Sequence, residues 1–222
     1  MKNRFFNKLF GIKPGISYGI TVCNEYVELE NLLLALLPLV ANKDEVIVLK
    51  DVTVRNSDVE RVLDQFKEKV RIIESQLNND FGTFKNLLID NARKDYLFQI
   101  DADEIPQESL ILQLKHILIK KWKCDCFFVP RMNIVEGYTQ EHIERWSWKV
   151  GINKFINYPD YQPRIIKLNG KTRWKNKVHE ELYGFKRAYE LPFEDYDLCL
   201  VHIKDIERQE KQNNFYDLLA GK

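Results

Sequence analysis

A chain of 222 residues with 45% hydrophobic and 30% charged side chains is long enough for one packed domain and too apolar to stay disordered. Its 34 basic and 33 acidic residues leave a formal net charge of +1, so there is no global attraction of the kind a nucleic-acid binder uses. No apolar stretch reaches the ~18 residues of a membrane span, and Cys23, Cys124, Cys126 and Cys199 form no CxxC pair for zinc.

In chain order, residues 1–13 (MKNRFFNKLFGIK) are basic and aromatic, and too short in apolar content for a signal peptide. Phe5, Phe6, Leu9 and Phe10 can share one side of a short helix ringed by Lys2, Arg4 and Lys8. That helix is either packed on its own domain or a membrane-surface or partner anchor. The expected location is cytoplasmic, with peripheral contact at the inner membrane face as the role of such an anchor. Ile16–Cys23 reads as a strand. Leu29, Leu32, Leu33, Leu36 and Leu37 then follow a helical stripe that Pro38 ends. Val46–Leu49 is the next buried strand, and Ser57 with Glu60 forms a capping-box pair ahead of a helix through Phe66. Val70–Ile73, a helix over residues 81–92, and Tyr96–Ile100 complete a regular alternation. A helix on Ile111, Leu114, Ile117 and Leu118 and a strand at Cys126–Val129 follow, with Cys124 and Cys126 expected on one strand face as buried free thiols. After Pro130 the pattern fades, and residues 131–200 read as short strands and long loops. The polar stretch from Ile203 onward predicts a surface helix.

Strands alternating with helices imply an α/β fold with a mixed, mostly parallel sheet covered on both faces. Ligands bind beyond the carboxyl ends of such strands. The chemistry is therefore expected after Cys23, Leu49, Ile73 and Ile100, where Asn24, Glu25, Asp51, residues 78–80 and residues 101–104 stand. The sharpest signal is Asp101-Ala102-Asp103-Glu104 at the end of an apolar strand. Two carboxylates at i and i+2 of an extended chain can aim at one point, and hard oxygen donors with few partners suit Mn²⁺ or Mg²⁺ completed by water and phosphate. There is no GxxxxGK[ST] and no GxGxxG after the first strand, which removes support for P-loop and dinucleotide sites.

The ordered segments ITVCNE, DEVIVLKD, FKN, FQIDADE, YPDYQPRIIK, WKNKVHEEL and LVHIK resemble family 2 glycosyltransferases of the GT-A fold, a Rossmann-like α/β architecture, from about Ile16 to His202. The resemblance implies residues 16–203 as the catalytic domain, with 16–105 the nucleotide-sugar half and 106–203 the acceptor half. It leaves 1–15 as an N-terminal segment and 204–222 as a C-terminal helical tail. It further implies that Asn24 and Glu25 meet the nucleotide, that Asp51 bonds the nucleobase, and that Lys85 and Asn86 lie near the donor. Asp101, Ala102 and Asp103 become the DxD element, and His202 joins Asp101 and Asp103 on Mn²⁺ or Mg²⁺. Glu180 takes the place of the base, with Glu181 and Asp160 as rivals. Arg164 suits a phosphate fork, and Tyr158 and Gln162 suit the same side. Trp146, Trp148 and Trp174 are either core residues or sugar-stacking platforms.

The implied partner is a nucleotide sugar, UDP-linked by the Asp51 match. The acceptor stays open among a glycan, a lipid-linked sugar, a protein side chain and a modified nucleic-acid base. The alternatives are a nucleotidyl- or phosphotransferase with a carboxylate-bound metal, and an inactive GT-A domain used as a binding module. The turn Cys23-Asn24-Glu25-Tyr26 departs from the first alternative in having no glycine.

Overall fold

The computed structural model of the protein describes residues 13–219. The N-terminal aromatic–basic cluster of Phe5, Phe6, Leu9 and Phe10 lies outside them. Among the described residues no helix is long and apolar enough to cross a membrane.

The first half is built from β1 (Ile16–Val22), α1 (Tyr26–Leu36), β2 (Glu45–Asp51), α2 (Ser57–Phe66), β3 (Arg71–Ser75), α3 (Phe81–Asn91) and β4 (Tyr96–Asp101). The second half contains β5 (Glu104–Pro106), α4 (Glu108–Lys120), β6 (Cys126–Glu136), α5 (Gln140–Arg145), β7 (Ile156–Lys167), β8 (Arg173–Lys175), β9 (Glu181–Tyr183), β10 (Ala188–Glu190), β11 (Leu200–Asp205) and α6 (Ile206–Leu219). One sheet runs in the order β3-β2-β1-β4-β7-β6-β11-β5, with β10 added to β6, while β8 and β9 form a separate ribbon. The pairs β1·β2, β2·β3 and β1·β4 are parallel, and β7 enters antiparallel between β4 and β6.

Runs such as Ile16, Tyr18, Ile20 and Val22 face one core under α1, α2 and α4. Ile47, Leu49, Leu97 and Ile166 face a second core with Phe84, Leu88 and Trp174. Apolar residues on both faces of the strands are what a sheet sandwiched by helices requires. Gly19 lets α3 settle: a Cβ there would stand 2.7 Å from Leu97 Cδ1 and 3.2 Å from Leu88 Cδ1.

Three expectations from the sequence are corrected. The cap of α2 is Asn56, whose extended backbone lets its side chain accept from Asp58 and Val59 amides. Ser57 is thereby inside the helix, and Glu60 turns to Lys50 instead. Residues 131–200 are far more regular than expected, since β6 runs unbroken to Glu136 and β7 spans 12 residues. Pro130 is tolerated because β10 pairs only with 126–128 and β11 only from Arg131, so the missing amide falls in a gap between partners. Cys124 sits in the turn before β6, not on a strand face, and all four cysteines are free thiols.

Candidate active site

The carboxyl ends of β1, β2 and β4 open into a cleft of about 570 Å³. Its walls include Thr21, Glu25 and Asp51 from the parallel half and Arg131, Asp160 and Gln162 from the antiparallel half. Lys85 comes from α3, and Glu180 from the loop before β9. Asp101, Ala102, Asp103, Arg164, His202 and Lys204 lie between them.

Register explains why the acidic turn meets a histidine. β5 pairs antiparallel with β11, placing Glu104 opposite His202, and β6 pairs parallel with β11, placing Asn133 opposite the same residue. Thr21 is opposite Asp101 in β1·β4, and its hydroxyl donates to Asp101 Oδ1 at 2.8 Å. Arg164 Nη2 donates to Asp101 Oδ2 at 2.6 Å and also to Glu104. Arg131 bridges Glu104 at 2.8 Å and Asp160, where its Nη2 and Nε lie 2.6 and 2.9 Å from Oδ2. Glu104 is fully buried, and its Oε2 accepts from the Asp101 amide at 3.2 Å, so it ties the acidic turn to both arginines.

Burial disfavours the Asp101 charge, but Arg164 and Lys85 outweigh it and hold the carboxyl well below the usual range. Burial likewise opposes ionisation of Asp103, but the hydrogen bond and charge that a protonated His202 would offer, and then Lys204, pull the other way and favour a carboxylate. His202 moves the other way: burial is the largest influence and lowers its pKa despite the pull of Asp103. A neutral ring is therefore favoured. Its tautomer follows from the network. Asn133 Nδ2 donates to Asp160 at 2.8 Å and to the Ile156 carbonyl at 3.3 Å, so its Oδ1, 2.8 Å from His202 Nδ1, must accept. Nδ1 then holds the proton, and the Nε2 lone pair faces Asp103 Oδ2 at 3.3 Å. With the ring neutral, the two donors can share a cation between or beside them. Lys204 at 3.5 Å and Arg208 at 3.4 Å supply positive charge in part.

Asp103 and His202 thus have the donor chemistry of a divalent-cation site, with Asp101 alongside. Among the described residues no three His, Cys, Asp or Glu groups converge as a finished cage, so water and substrate oxygens would have to complete the shell.

The other expected residues distribute unevenly. Asp51 Oδ1 accepts from Thr53 and from the Leu77 amide at the far end of the cleft. Glu25 lines the cleft and accepts from the Cys23 and Asn24 amides, but Asn24 is exposed and outside the lining. Asn86 is also outside: its amide brackets the Trp174 backbone in both directions at 2.9 Å, fastening β8 to α3. Glu180 lines the cleft and is paired with Lys85, whereas Glu181 pairs with Lys175 on the exposed ribbon. Asp160 lines the cleft with both oxygens engaged by Arg131, Asn133 and Gln162. Trp174 is core, its indole bonded to Gln99, and Tyr158 bonds the Phe193 carbonyl outside the cleft.

Sequence reasoning passed over Thr21, Arg131, Asn133, Lys204 and Arg208. Arg131, Asn133 and Val135 alternate into the cleft from β6, a period-two signal hidden by ending that strand at Pro130.

The model of the family described as "Glycosyl transferase family 2" matches residues 17–207. The chain belongs to this family. Family 2 membership accounts for the GT-A-type sheet with its antiparallel β7. It agrees with a likeness of 27% identity over 183 residues to the SPbeta prophage-derived glycosyltransferase SunS of Bacillus subtilis (strain 168). That match covers 81% of this chain but only 37% of SunS, so the chain spans about a third of its relative's length. Among solved structures, S. aureus TarS 1–349 superposes with a TM-score of 0.57 at 13% identity, covering 85% of this family 2 chain and 60% of TarS 1–349. The same TarS fragment in complex with UDP-GlcNAc gives 0.58 at 14% identity, covering 86% and 58%.

Proposed function

We propose that the protein is a metal-dependent glycosyltransferase that moves a sugar from a UDP-linked donor to an acceptor nucleophile by single displacement. The observation that carries this reading is the convergence of Asp103 Oδ2 and His202 Nε2 at 3.3 Å, beside Asp101, at the carboxyl end of the parallel strands. That donor set accepts a hard or borderline divalent cation such as Mn²⁺ or Mg²⁺. When bound, the cation would supply charge neutralisation for the departing diphosphate. The TarS structures with UDP-GlcNAc and UDP support a uridine nucleotide as the donor's leaving group.

The chain's own residues then divide the work. Asp51, at the far end of the cleft with its Oδ1 fixed by Thr53 and Leu77, would receive the nucleobase. Lys85 and Arg164 place positive charge beside Asp101, where a diphosphate would lie. As the acceptor oxygen bonds the anomeric carbon, the bond to diphosphate breaks and the acceptor's proton passes to Glu180. Glu180 suits this role better than its rivals. Asp160 already receives Arg131, Asn133 and Gln162, which hold its carboxyl below the usual range against the effect of burial. Glu181 faces the exposed side of the ribbon.

Calorimetric titration of UDP with and without Mn²⁺ tests the reading. Wild type is expected to bind UDP more tightly with Mn²⁺. Asp103→Asn is expected to lose that increment and keep the metal-free affinity. Equal affinities in all four titrations would overturn the metal assignment.

A further inference from the structure

The antiparallel end of the cleft contains an aromatic residue that the donor chemistry leaves unused. Trp148 lines the cleft, as do Val135, Ile156, Asn157, Asp160 and Gln162. Its ring lies 4.8 Å from Trp146 and 6.2 Å, edge-on, from Tyr138, and Trp146 stacks in turn on His142 at 5.4 Å. The backbone around it is held in an unusual conformation. Ser147 has φ +52 and Asn157 has φ +56, both in the left-handed region that non-glycine residues seldom adopt. Such a conformation, which asparagine tolerates better than serine, persists where neighbours enforce it. The neighbours are identifiable. The Trp148 amide donates to the Ile143 carbonyl at 2.9 Å. The Asn157 amide donates to the Lys149 carbonyl at 2.7 Å, and Asn157 Oδ1 accepts from the Lys149 amide at 2.9 Å. The segment between β6 and β7 is thus pinned at both ends so that one indole stands in the wall of the cleft.

An indole fixed in this way offers apolar ring surface at no further entropic cost, in a wall that also carries Gln162 and Asn157, whose amide groups beyond those bonded to Asp160 and Lys149 can bond hydroxyls. That combination matches a pyranose ring, which has one apolar face and a polar rim. We infer that the acceptor is a carbohydrate and that its terminal pyranose stacks on Trp148. Trp146 acts as a positioning residue behind Trp148. The inference rests on the glycosyltransferase reading and adds the class of acceptor to it.

The test uses wild type, Trp148→Ala, Trp148→Phe and Trp146→Ala, each first shown by thermal melting to be folded. With UDP and Mn²⁺ present, saturation-transfer NMR measures binding of the methyl β-pyranosides of glucose, galactose and N-acetylglucosamine. Calorimetry measures UDP affinity in parallel. At least one pyranoside is expected to bind wild type, to weaken about fivefold or more in Trp148→Ala and to keep most of its affinity in Trp148→Phe. Trp146→Ala is expected to give a smaller loss, and UDP affinity should change less than about twofold throughout. The inference is overturned if wild type binds UDP but none of the three pyranosides, or if a pyranoside binds Trp148→Ala as tightly as wild type. It is equally overturned if Trp148→Ala weakens UDP as much as the sugar, which would place the indole in the donor wall. If wild type binds no UDP, the functional reading fails first, and the acceptor assignment with it.

Discussion

Gly82 stands in the first turn of α3, and a Cβ there would lie 2.5 Å from the Asn176 carbonyl oxygen. The Phe81 amide also bonds the Lys177 carbonyl at 3.0 Å, so the helix start and the segment leading to Glu180 are in direct contact. Alanine is ordinarily the better helix former by about 1 kcal/mol. In Gly82→Ala that gain opposes the clash, and the expected result is a small change in melting temperature with a kcat lowered about a hundredfold, the usual cost of a misplaced catalytic group. Undiminished turnover would mean that the 176–180 segment yields without moving Glu180. Glu180→Gln itself should reduce kcat by ~10²–10⁴-fold while leaving UDP affinity near wild type. Cys23 and Cys126 are expected to be slow nucleophiles. Burial first, then the charges of Asp51 and Glu25, pushes Cys23 up to about 11, and burial with Asp125 takes Cys126 to about 12. Alkylation of the native protein by iodoacetamide at neutral pH checks this, and rapid labelling of Cys23 would contradict it.

At the scale of elements, the described side chains of α6 dock mainly through charge. From Glu207 to Asn214 it is polar on all sides and meets the body through ion pairs and hydrogen bonds: Arg208 reaches Glu25, Glu28 and Asp103, Lys204 bonds Gln212, and Glu210 meets His142. An element docked by partly exposed ion pairs opens at low cost. Arg208→Ala is therefore expected to speed amide exchange across the start of α6 by about fivefold, the effect of losing ~1 kcal/mol, without touching exchange in β1 or β4. Unchanged exchange would show that the helix is held by something other than Arg208. Since Gln209 and Gln212 line the cleft, this helix is also part of the site, a placement that its surface-like composition did not suggest.

For the whole molecule, the carboxylates and the histidine shifted at the site agree in sign. Asp101, Asp103 and Asp160 have folded-state pKa values below their unfolded ones, so each adds stability above the unfolded carboxylate range and loses it as pH falls. His202 is also lowered, and the unfolded chain therefore takes up its proton first. The contribution of His202 is complete above an unfolded pKa of about 6.5 and disappears as pH falls through the folded value. Thermal melts between pH 7.5 and 3 are expected to decline throughout. His202→Gln should flatten the upper part of that decline and leave the carboxylate part. A melting temperature that rose on acidification would contradict the assignment. Glu104→Gln, which strips the shared anion from between Arg131 and Arg164, should cost roughly 3–5 kcal/mol as a broken buried pair.

The alternation of strand and helix from Ile16 to Asp101 was legible in the sequence because each element there carries its own period of two or 3.6 and its own punctuation. Pro38 stopped one helix, and the acidic turn at Asp101 stood out because charge rarely follows so apolar a strand. The family resemblance was legible for the same reason, since its motifs sit at strand ends in fixed order. The second half resisted local reading because its regularity is borrowed from partners. Pro130 continues a strand only because β10 stops before it and β11 begins after it. Tertiary structure alone decided which of two adjacent glutamates faces the cleft, and that Asn86 fastens β8 rather than lining the cleft. It alone brought His202 to Asp103, across 99 residues of chain, through the β5·β11 register. Local sequence dictates what each segment can become, but a site built from six strands depends on pairings whose energies arise only between segments distant in sequence.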